Sequence, residues 1–296
     1  MSLSNKLKIF SYYIFNDPHW LFRPLIKPFY NFFVAKKLIK SFYKNKLDKI
    51  LDLNNDNEKT IKDIEIQENE TNVFDPVTNI TKKYYPEILD LSRLYSLIKE
   101  NKPFTVLEFG VGYSSIIIGQ ALYENKKNFQ SDKKHLIRNS KMFKLFCVDK
   151  SQKWIDEAKK NIPEHLKDII EIIQSDVEIK NLNNQVCHFY KKLPDVNPEF
   201  IYLDGPHPLD PEGNVNNISF KCLERTPISA DILFLESTLL PGTRILVDGR
   251  TNNVRFLKNN FKRKFKFKWD RYGDVTHIVL NEKKLGKLNK LGFELY

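Results

Sequence analysis

A glycine-rich turn between an apolar strand and an apolar helix constrains this chain more than any other feature. Residues 106–109 form a short, mostly apolar run, and residues 116–122 form a second apolar run. Between them, Gly110 and Gly112 let the backbone turn sharply and leave room for a ligand to approach. The first amide groups of the helix face the same ligand. The segment therefore predicts a strand-turn-helix unit that binds a nucleotide-like cofactor at its turn.

The residues around the turn bear on which cofactor it binds. A dinucleotide-binding turn has a third glycine, which lets the helix pack beside a pyrophosphate, where this chain has Ser115. The acidic Glu108 before the turn and the hydroxyls of Ser114 and Ser115 after it suit a ligand with an ammonium and a carboxylate. In this motif the chain resembles the class I S-adenosylmethionine (SAM)-dependent methyltransferases, whose first motif reads acidic-x-Gly-x-Gly. The resemblance implies that Glu108, Gly110, Gly112, Ser114 and Ser115 bind SAM.

Two further predicted strands end in acidic residues. Asp149 follows the second strand, where a carboxylate can accept hydrogen bonds from the ribose hydroxyls. Asp149 lies farther from Gly112 than the roughly 20 residues expected in such folds, and the polar residues 124–142 are typical of an insertion that explains the excess. Asp176 follows the third strand, at a position where the resemblance implies contact with the adenine amino group.

The fourth and fifth predicted strands end in the residues that could carry chemistry. Residues 200–203 lead to Asp204 and His207, and residues 244–247 lead to Asp248. In open α/β sheets these strand ends line the ligand crevice. Carboxylates suit Mg²⁺, so Asp204 and Asp248 are candidate metal ligands. A metal there would lower the pKa of a substrate hydroxyl, and Asp204 and His207 are the candidate catalytic residues, with His207 accepting the proton.

These strand ends resemble those of metal-assisted small-molecule O-methyltransferases, including enzymes that act on sugars and polyketide hydroxyls. Such enzymes often have a second acidic or amide residue directly after the strand-five aspartate, where this chain has Gly249. Catalysis without a metal therefore stays open. A structural role within an Asp-Gly-Pro turn is the alternative for His207. The absence of an Asn-Pro-Pro-aromatic motif after the fourth strand argues against amino-methylating enzymes.

The first fifty residues differ from the rest of the chain. They hold ten Lys or Arg against two Asp, in a chain of net charge +11, and twelve aromatic residues are interleaved with these charges. The favoured interpretation is an amphipathic helical extension that covers the substrate crevice or contacts a second copy in a homo-oligomer. Contact with an anionic membrane surface is the main alternative. Binding of nucleic acid is the least favoured of the three.

Composition and the C-terminal pattern complete the fold prediction. With 296 residues and 41% hydrophobic content, the chain can bury one large core. Its three cysteines are too far apart for a disulfide framework or a metal site, which favours a cytoplasmic protein, with attachment to the inner membrane face as an option. No signal peptide or membrane span is predicted.

Residues 264–269 alternate in polarity and residues 275–280 return as a second strand. A closing antiparallel hairpin is expected of the methyltransferase sheet and not of an all-parallel dinucleotide-binding sheet. We therefore expect a Rossmann-like, seven-stranded, mostly parallel α/β sheet with helices on both faces. The predicted organisation is a basic extension over 1–51, a polar linker over 52–75 and a methyltransferase domain over 76–296.

The predicted function is SAM-dependent transfer of a methyl group to a hydroxyl of a small molecule or glycan precursor. An NAD(P)-dependent oxidoreductase is an alternative, which Ser115 and the C-terminal hairpin disfavour. A membrane-peripheral protein that binds SAM without catalysis is another.

Overall fold

A computed structural model of the chain describes residues 34, 36–51, 87–129, 137–222, 224–271, 273–286 and 289–296. The predicted linker, residues 52–75, lies outside this part of the chain. So do most of the basic extension and the start of the predicted methyltransferase domain.

Seven strands form the central sheet. They are β1 (Thr105–Phe109), β2 (Lys144–Asp149), β3 (Ile170–Gln174), β6 (Phe200–Leu203), β7 (Arg244–Asp248), β8 (Phe265–Asp270) and β9 (Val275–Leu280). Their order across the sheet is β3-β2-β1-β6-β7-β9-β8. The pairs from β3 to β7 are parallel, and β9 runs antiparallel to both of its neighbours. The predicted fold class is thus confirmed.

The helices flank both faces of the sheet. They are α1 (Lys36–Lys44), α2 (Leu47–Ile50), α3 (Ile88–Asn101), α4 (Tyr113–Asn128), α5 (Gln152–Asn161), α6 (Asp231–Leu235) and α7 (Thr251–Asn260). Buried residues of α1 to α4 share one core cluster with one sheet face, and α6 and α7 share a second cluster with the other. Because both faces are covered, β1 and β6 are mostly apolar and are buried along their whole length.

A second, two-stranded sheet was not predicted. Strands β4 (Val177–Leu182) and β5 (Gln185–Tyr190) pair antiparallel through a two-residue turn. Asn183 and Asn184 both have positive φ in that turn, a conformation that asparagine tolerates and that matches the twist of a hairpin. The hairpin packs Cys187, Phe189 and Tyr190 into the core on the α6 and α7 side.

The described part of the basic extension is helical and belongs to the domain. Helix α1 packs on α3, and the side chains of Phe42 and Leu47 are fully buried in the same core as α3 and α4. The lysines of α1 are exposed on the other side. Helix α1 is therefore amphipathic, and its apolar face covers α3.

One predicted boundary differs from the structure. Helix α4 continues to Asn128, so it includes the first residues of the predicted insertion over 124–142. Among the described helices, none combines the length and apolar character needed to cross a membrane.

Candidate active site

The backbones of Gly110 and Gly205 are in direct contact at the carboxyl ends of β1 and β6. This contact, called the glycine floor below, forms the bottom of the predicted ligand crevice. Gly110 follows β1 with φ +119°, and its amide donates to the carbonyl of Val148 at 2.9 Å. Gly205 follows β6, and a Cβ added there would lie 2.8 Å from the amide nitrogen of Gly110. Because no side chain fits between them, both positions need glycine. Sequence reasoning identified Gly110 but missed Gly205, whose only signal was its place in the turn after a buried strand.

Gly112 has a different role from Gly110. Its backbone is extended, and a Cβ added to it would meet no atom within 4 Å, so this position borders open space. Its amide donates to Ser115 Oγ at 3.1 Å. A ligand can therefore approach the turn at Gly112.

Glu108 and Ser115 lie behind this turn. The carboxylate of Glu108 accepts hydrogen bonds from Ser114, from Ser115 at 2.7 Å and from the thiol of Cys147 at 3.2 Å. Burial raises the pKa of Glu108 to about 7, and these hydrogen bonds oppose that rise. Both Glu108 and Ser115 are almost inaccessible to solvent. Glu108 and Ser115 thus shape the turn from beneath and Ser114 is partly exposed, while the contact of all three with the cofactor stays a prediction.

Asp149 lies at the tip of β2, next to the glycine turn. Its Oδ1 accepts a hydrogen bond from the amide of Ser151 at 2.7 Å. Burial and the charge of Asp210 raise its pKa to about 6, against the effect of that hydrogen bond. Asp176 is instead exposed between β3 and β4, with Lys191 at 3.7 Å. The contacts of Asp149 with the ribose and of Asp176 with the adenine therefore both stay predictions.

The predicted Asp248, at the end of β7, is affected by the charge of the predicted Asp204, which follows β6. Burial, then the charges of Asp90 and Asp204, raise the pKa of Asp248 to about 7. Asp248 Oδ2 accepts a hydrogen bond from the hydroxyl of Tyr202 at 2.8 Å. Asp204 is accessible to solvent. Desolvation by the surrounding protein atoms nevertheless raises the pKa of its carboxyl, and the charge of Arg250 opposes this rise. Asp90, on α3, was not predicted to lie here.

These carboxylates do not form a metal centre by themselves. No group of three or more His, Cys, Asp or Glu side chains among the described residues is arranged to hold a metal ion. One oxygen of Asp248 is bonded to Tyr202, and Gly249 supplies no side chain. The donor set therefore fits the predicted metal poorly, and no chemical step is assigned to a metal here.

His207 is an exposed turn residue. Its amide donates to Asp210 Oδ2 at 2.9 Å, and its ring Nδ1 accepts a hydrogen bond from the amide of Leu209 at 3.3 Å. These contacts correspond to the structural alternative for His207. Its Nε2 has no hydrogen-bond partner in the described part of the chain, so the predicted proton transfer stays a prediction.

Two groups at the crevice were missed from the sequence. The loop after β6 crosses towards β2, where Lys150 Nζ donates to the carbonyl of Asp210 at 2.8 Å and pairs with Glu212. After β7, Arg250 Nη2 donates to the carbonyls of Asp204 and Pro206. Neither contact has a sequence signal, because each depends on the path of a loop. Lys150 and Arg250 therefore add cationic donors to a crevice whose other predicted groups, Asp149, Asp204 and Asp248, are acceptors.

No protein-family model and no curated protein matches this chain. Similar solved structures include the O-methyltransferase TomG from Streptomyces achromogenes in complex with SAM, at 11% identity and TM-score 0.38 over 67% of this chain and 82% of that chain. An O-methyltransferase from Bacillus cereus in complex with SAH is 15% identical, with TM-score 0.36 over 81% and 99% of the two chains. The SAH-bound Podospora anserina methyltransferase PaMTH1 is 14% identical, with TM-score 0.39 over 77% and 97%. These values are too low to assign a family or a function.

Proposed function

We propose that this chain is a SAM-dependent methyltransferase that methylates a hydroxyl of a small molecule or glycan precursor. The observation that carries the proposal is that Gly112, Asp149 and Asp204 lie at the same edge of the central sheet. In this sheet β9 runs antiparallel to its neighbours β7 and β8. The open turn at Gly112 suits the amino-acid end of SAM, and Asp149 suits its ribose hydroxyls.

The roles of the protein groups follow from their positions. If bound here, SAM would supply a methyl group on a sulfonium, with SAH as the leaving group, so the main task of the protein groups would be to position the acceptor oxygen in line with that methyl group. Asp204 is accessible and lies beside the glycine floor, where its carboxylate can accept a hydrogen bond from the acceptor hydroxyl and orient it. His207 Nε2 is a second candidate for accepting the proton. Asp176 is assigned to the adenine amino group.

The proposal does not need Mg²⁺. Asp204 and Asp248 are the residues that would hold the Mg²⁺ ion. However, Asp248 accepts a hydrogen bond from Tyr202, and the described residues add no third ligand. We therefore expect turnover to be unchanged by EDTA.

Calorimetric titration of the intact chain with S-adenosylhomocysteine (SAH) tests the proposal. Binding of SAH and no binding of NAD is the expected result. Binding of NAD without SAH would instead support the oxidoreductase alternative. That alternative is disfavoured because Ser115, at the place of the third glycine, is fully buried and bonded to Glu108 and Gly112.

A contact between the basic extension and an anionic membrane surface is compatible with catalysis on a membrane-associated acceptor. It is supported by the outward lysines of α1, which face away from the buried side chain of Phe42. Because Phe42 belongs to the core of the domain, the contact would place the whole domain at the membrane.

A further inference from the structure

Arg250 is held from one side only. Its Nη2 donates to the carbonyls of Asp204 and Pro206, the latter at 2.8 Å. In the described part of the chain, its Nε and Nη1 have no hydrogen-bond partner, and the guanidinium has no ion pair with a carboxylate. The side chain is partly exposed. Arg250 therefore presents a fixed guanidinium edge whose remaining N–H groups can bind a ligand.

The start of α7 adds donors at the same place. Arg250 is the residue that precedes the ten-residue helix Thr251–Asn260, and its side chain makes no capping hydrogen bond. The amides of Thr251 and Asn252 have no acceptor among the described residues. The first amides of a helix carry partial positive charge and favour anions. Side chain and helix end thus favour the same kind of ligand.

Two buried polar side chains near Arg250 also lack partners. Both ring nitrogens of His188 and the hydroxyl of Tyr190 have no hydrogen-bond partner among the described residues, and both residues are at least nine-tenths buried. Burial lowers the pKa of His188 to about 3 and the charge of Arg250 adds to this effect, so the imidazole lies within the field of Arg250. Buried polar groups normally have a partner, so a ligand or water is expected there.

The hairpin that carries these two residues is tied to the first turn of α7. The side chain of Asn253 accepts a hydrogen bond from the amide of Ser229 at 2.7 Å and donates to its carbonyl at 2.8 Å. Ser229 pairs in turn with His188 of β5. The guanidinium, the helix start and the unpartnered side chains therefore belong to one connected region beside the crevice.

We propose that Arg250 and the start of α7 form a subsite for an anionic group, a carboxylate or a phosphate, on the methyl acceptor. The planar guanidinium can bind either group through two parallel hydrogen bonds. Because Arg250 also holds the carbonyl of Asp204, an acceptor anchored there has its hydroxyl near the Asp204 carboxylate. The assignment to the acceptor rests on the proposed function, while anion binding itself does not.

Titration calorimetry of the full chain with inorganic phosphate, with and without SAH, tests the subsite. We expect saturable binding to the wild type and at least tenfold weaker binding to Arg250→Met. Arg255→Met is the matched control, because Arg255 is an exposed arginine of the same helix. The control should bind phosphate and SAH like the wild type.

Several results would overturn the subsite. One is the absence of phosphate binding by the wild type, and another is equal phosphate affinity in Arg250→Met and Arg255→Met. A third is a tenfold loss of SAH affinity in Arg250→Met with phosphate binding retained, because this would assign Arg250 to the cofactor. If SAH fails to bind the wild type, the proposed function fails, and the phosphate result still decides the anion site.

A second variant guards against loss of folding, since Arg250 also supports the turn after β6. Arg250→Lys keeps the charge and a donor for that turn but cannot make the paired contact. With hydroxyl acceptors offered as a carboxylate and its methyl ester, and as a phosphate monoester and its neutral dimethyl ester, Arg250→Lys should raise KM for one acid at least tenfold and leave KM for its neutral ester unchanged. The acid that is affected identifies the anion. A wild-type preference for both esters would contradict the proposal.

Discussion

At the scale of single residues, the contact between Gly110 and Gly205 makes a sharp prediction. A methyl group at Gly205 would lie 2.8 Å from the amide nitrogen of Gly110, so the ends of β1 and β6 would have to separate. We expect Gly205→Ala to lower the free energy of unfolding by about 1–3 kcal/mol, as overpacking does, and to weaken SAH binding. Urea denaturation and calorimetry measure the two effects.

Gly112→Ala and Gly286→Ala are the matched controls, because a Cβ at either position meets no atom within 4 Å. Both should leave stability within about 0.5 kcal/mol of the wild type. Gly112→Ala should still weaken SAH binding, since its methyl group would enter the space assigned to the cofactor. If Gly205→Ala were as stable as Gly286→Ala, the backbone contact would be refuted.

Asp204 is the residue on which turnover should depend most. Asp204→Ala removes the carboxylate that orients the acceptor hydroxyl, and we expect a loss of activity of about 100-fold or more, as for other general acid-base groups. Release of SAH in the presence of acceptor measures it. Asp195→Ala, an exposed aspartate at the opposite end of the strands, is the control. Full activity in Asp204→Ala would refute the assigned role.

The sequence predicted Asp149, Asp204 and Asp248 because a residue that follows a buried apolar run must lie at a sheet edge. It could not predict the contacts of Arg250 with the turn after β6, since these depend on loop conformation and not on periodicity. The burial of Glu108 was missed for a related reason. Its hydrogen bonds join β1, β2 and the start of α4, which only the assembled sheet brings together.

At the scale of elements, we expect the stability of the protein to depend on pH through His188 of the β4–β5 hairpin. Burial, with a contribution from Arg250, lowers the pKa of His188 to about 3 in the folded state, whereas an unperturbed histidine has a pKa of about 6.5. The unfolded state therefore binds the proton more tightly. The stability associated with a neutral His188 is complete above pH 6.5 and is lost as the pH falls towards 3.

His188→Leu isolates this effect, because leucine does not titrate. Relative to the variant, the wild type should lose about 2 kcal/mol in free energy of unfolding between pH 7 and pH 5. The measured quantity is the difference in free energy of unfolding between the wild type and His188→Leu at each pH. The difference is needed because several buried carboxyls with raised pKa values give both proteins the opposite pH dependence. Parallel stability curves for the two proteins would contradict the burial of a neutral His188.

Helix α1 is predicted to stabilise the domain and not merely to extend it. Phe42 is fully buried against the core of α3 and α4, so Phe42→Ala should lower the free energy of unfolding by about 3 kcal/mol. Lys44→Ala, an exposed position on the same helix, should change it by less than about 0.5 kcal/mol. Denaturation curves that are equal for the two variants would show that α1 does not belong to the fold.

Elements of the central sheet were predictable and those around it were less so. The apolar runs in strands β1, β2, β6 and β7 made these strands predictable from the sequence. Hairpin β4–β5 was missed although Glu178 and Lys180 alternate with its apolar residues, a pattern typical of a half-buried strand. Its two-asparagine turn, Asn183 and Asn184, was the signal that could have identified it.

At the scale of the whole molecule, the described lysines of the basic extension allow a sharper membrane test than truncation. Removal of residues 1–50 would also remove Phe42 and Leu47 from the core. Replacing Lys37, Lys40 and Lys44 by Gln should weaken binding to phosphatidylglycerol vesicles at least tenfold, at about 1 kcal/mol per lysine. Vesicle sedimentation measures the change.

The control replaces three exposed lysines of α5, Lys153, Lys159 and Lys160, by Gln. It removes the same net charge from another surface and should bind vesicles like the wild type. Equal losses in the two variants would show that only the total charge matters. No binding by the wild type would remove the membrane proposal.

The backbone contact between Gly110 and Gly205 also determines how early during translation the chain can bind its cofactor. The glycine turn is translated with the first third of the domain, but its floor comes from the segment after β6, which leaves the ribosome much later. A nascent chain that ends before β6 has the turn and Asp149 but lacks the surface on which a cofactor would rest. Cofactor binding would therefore report that both halves of the sheet have been made and joined.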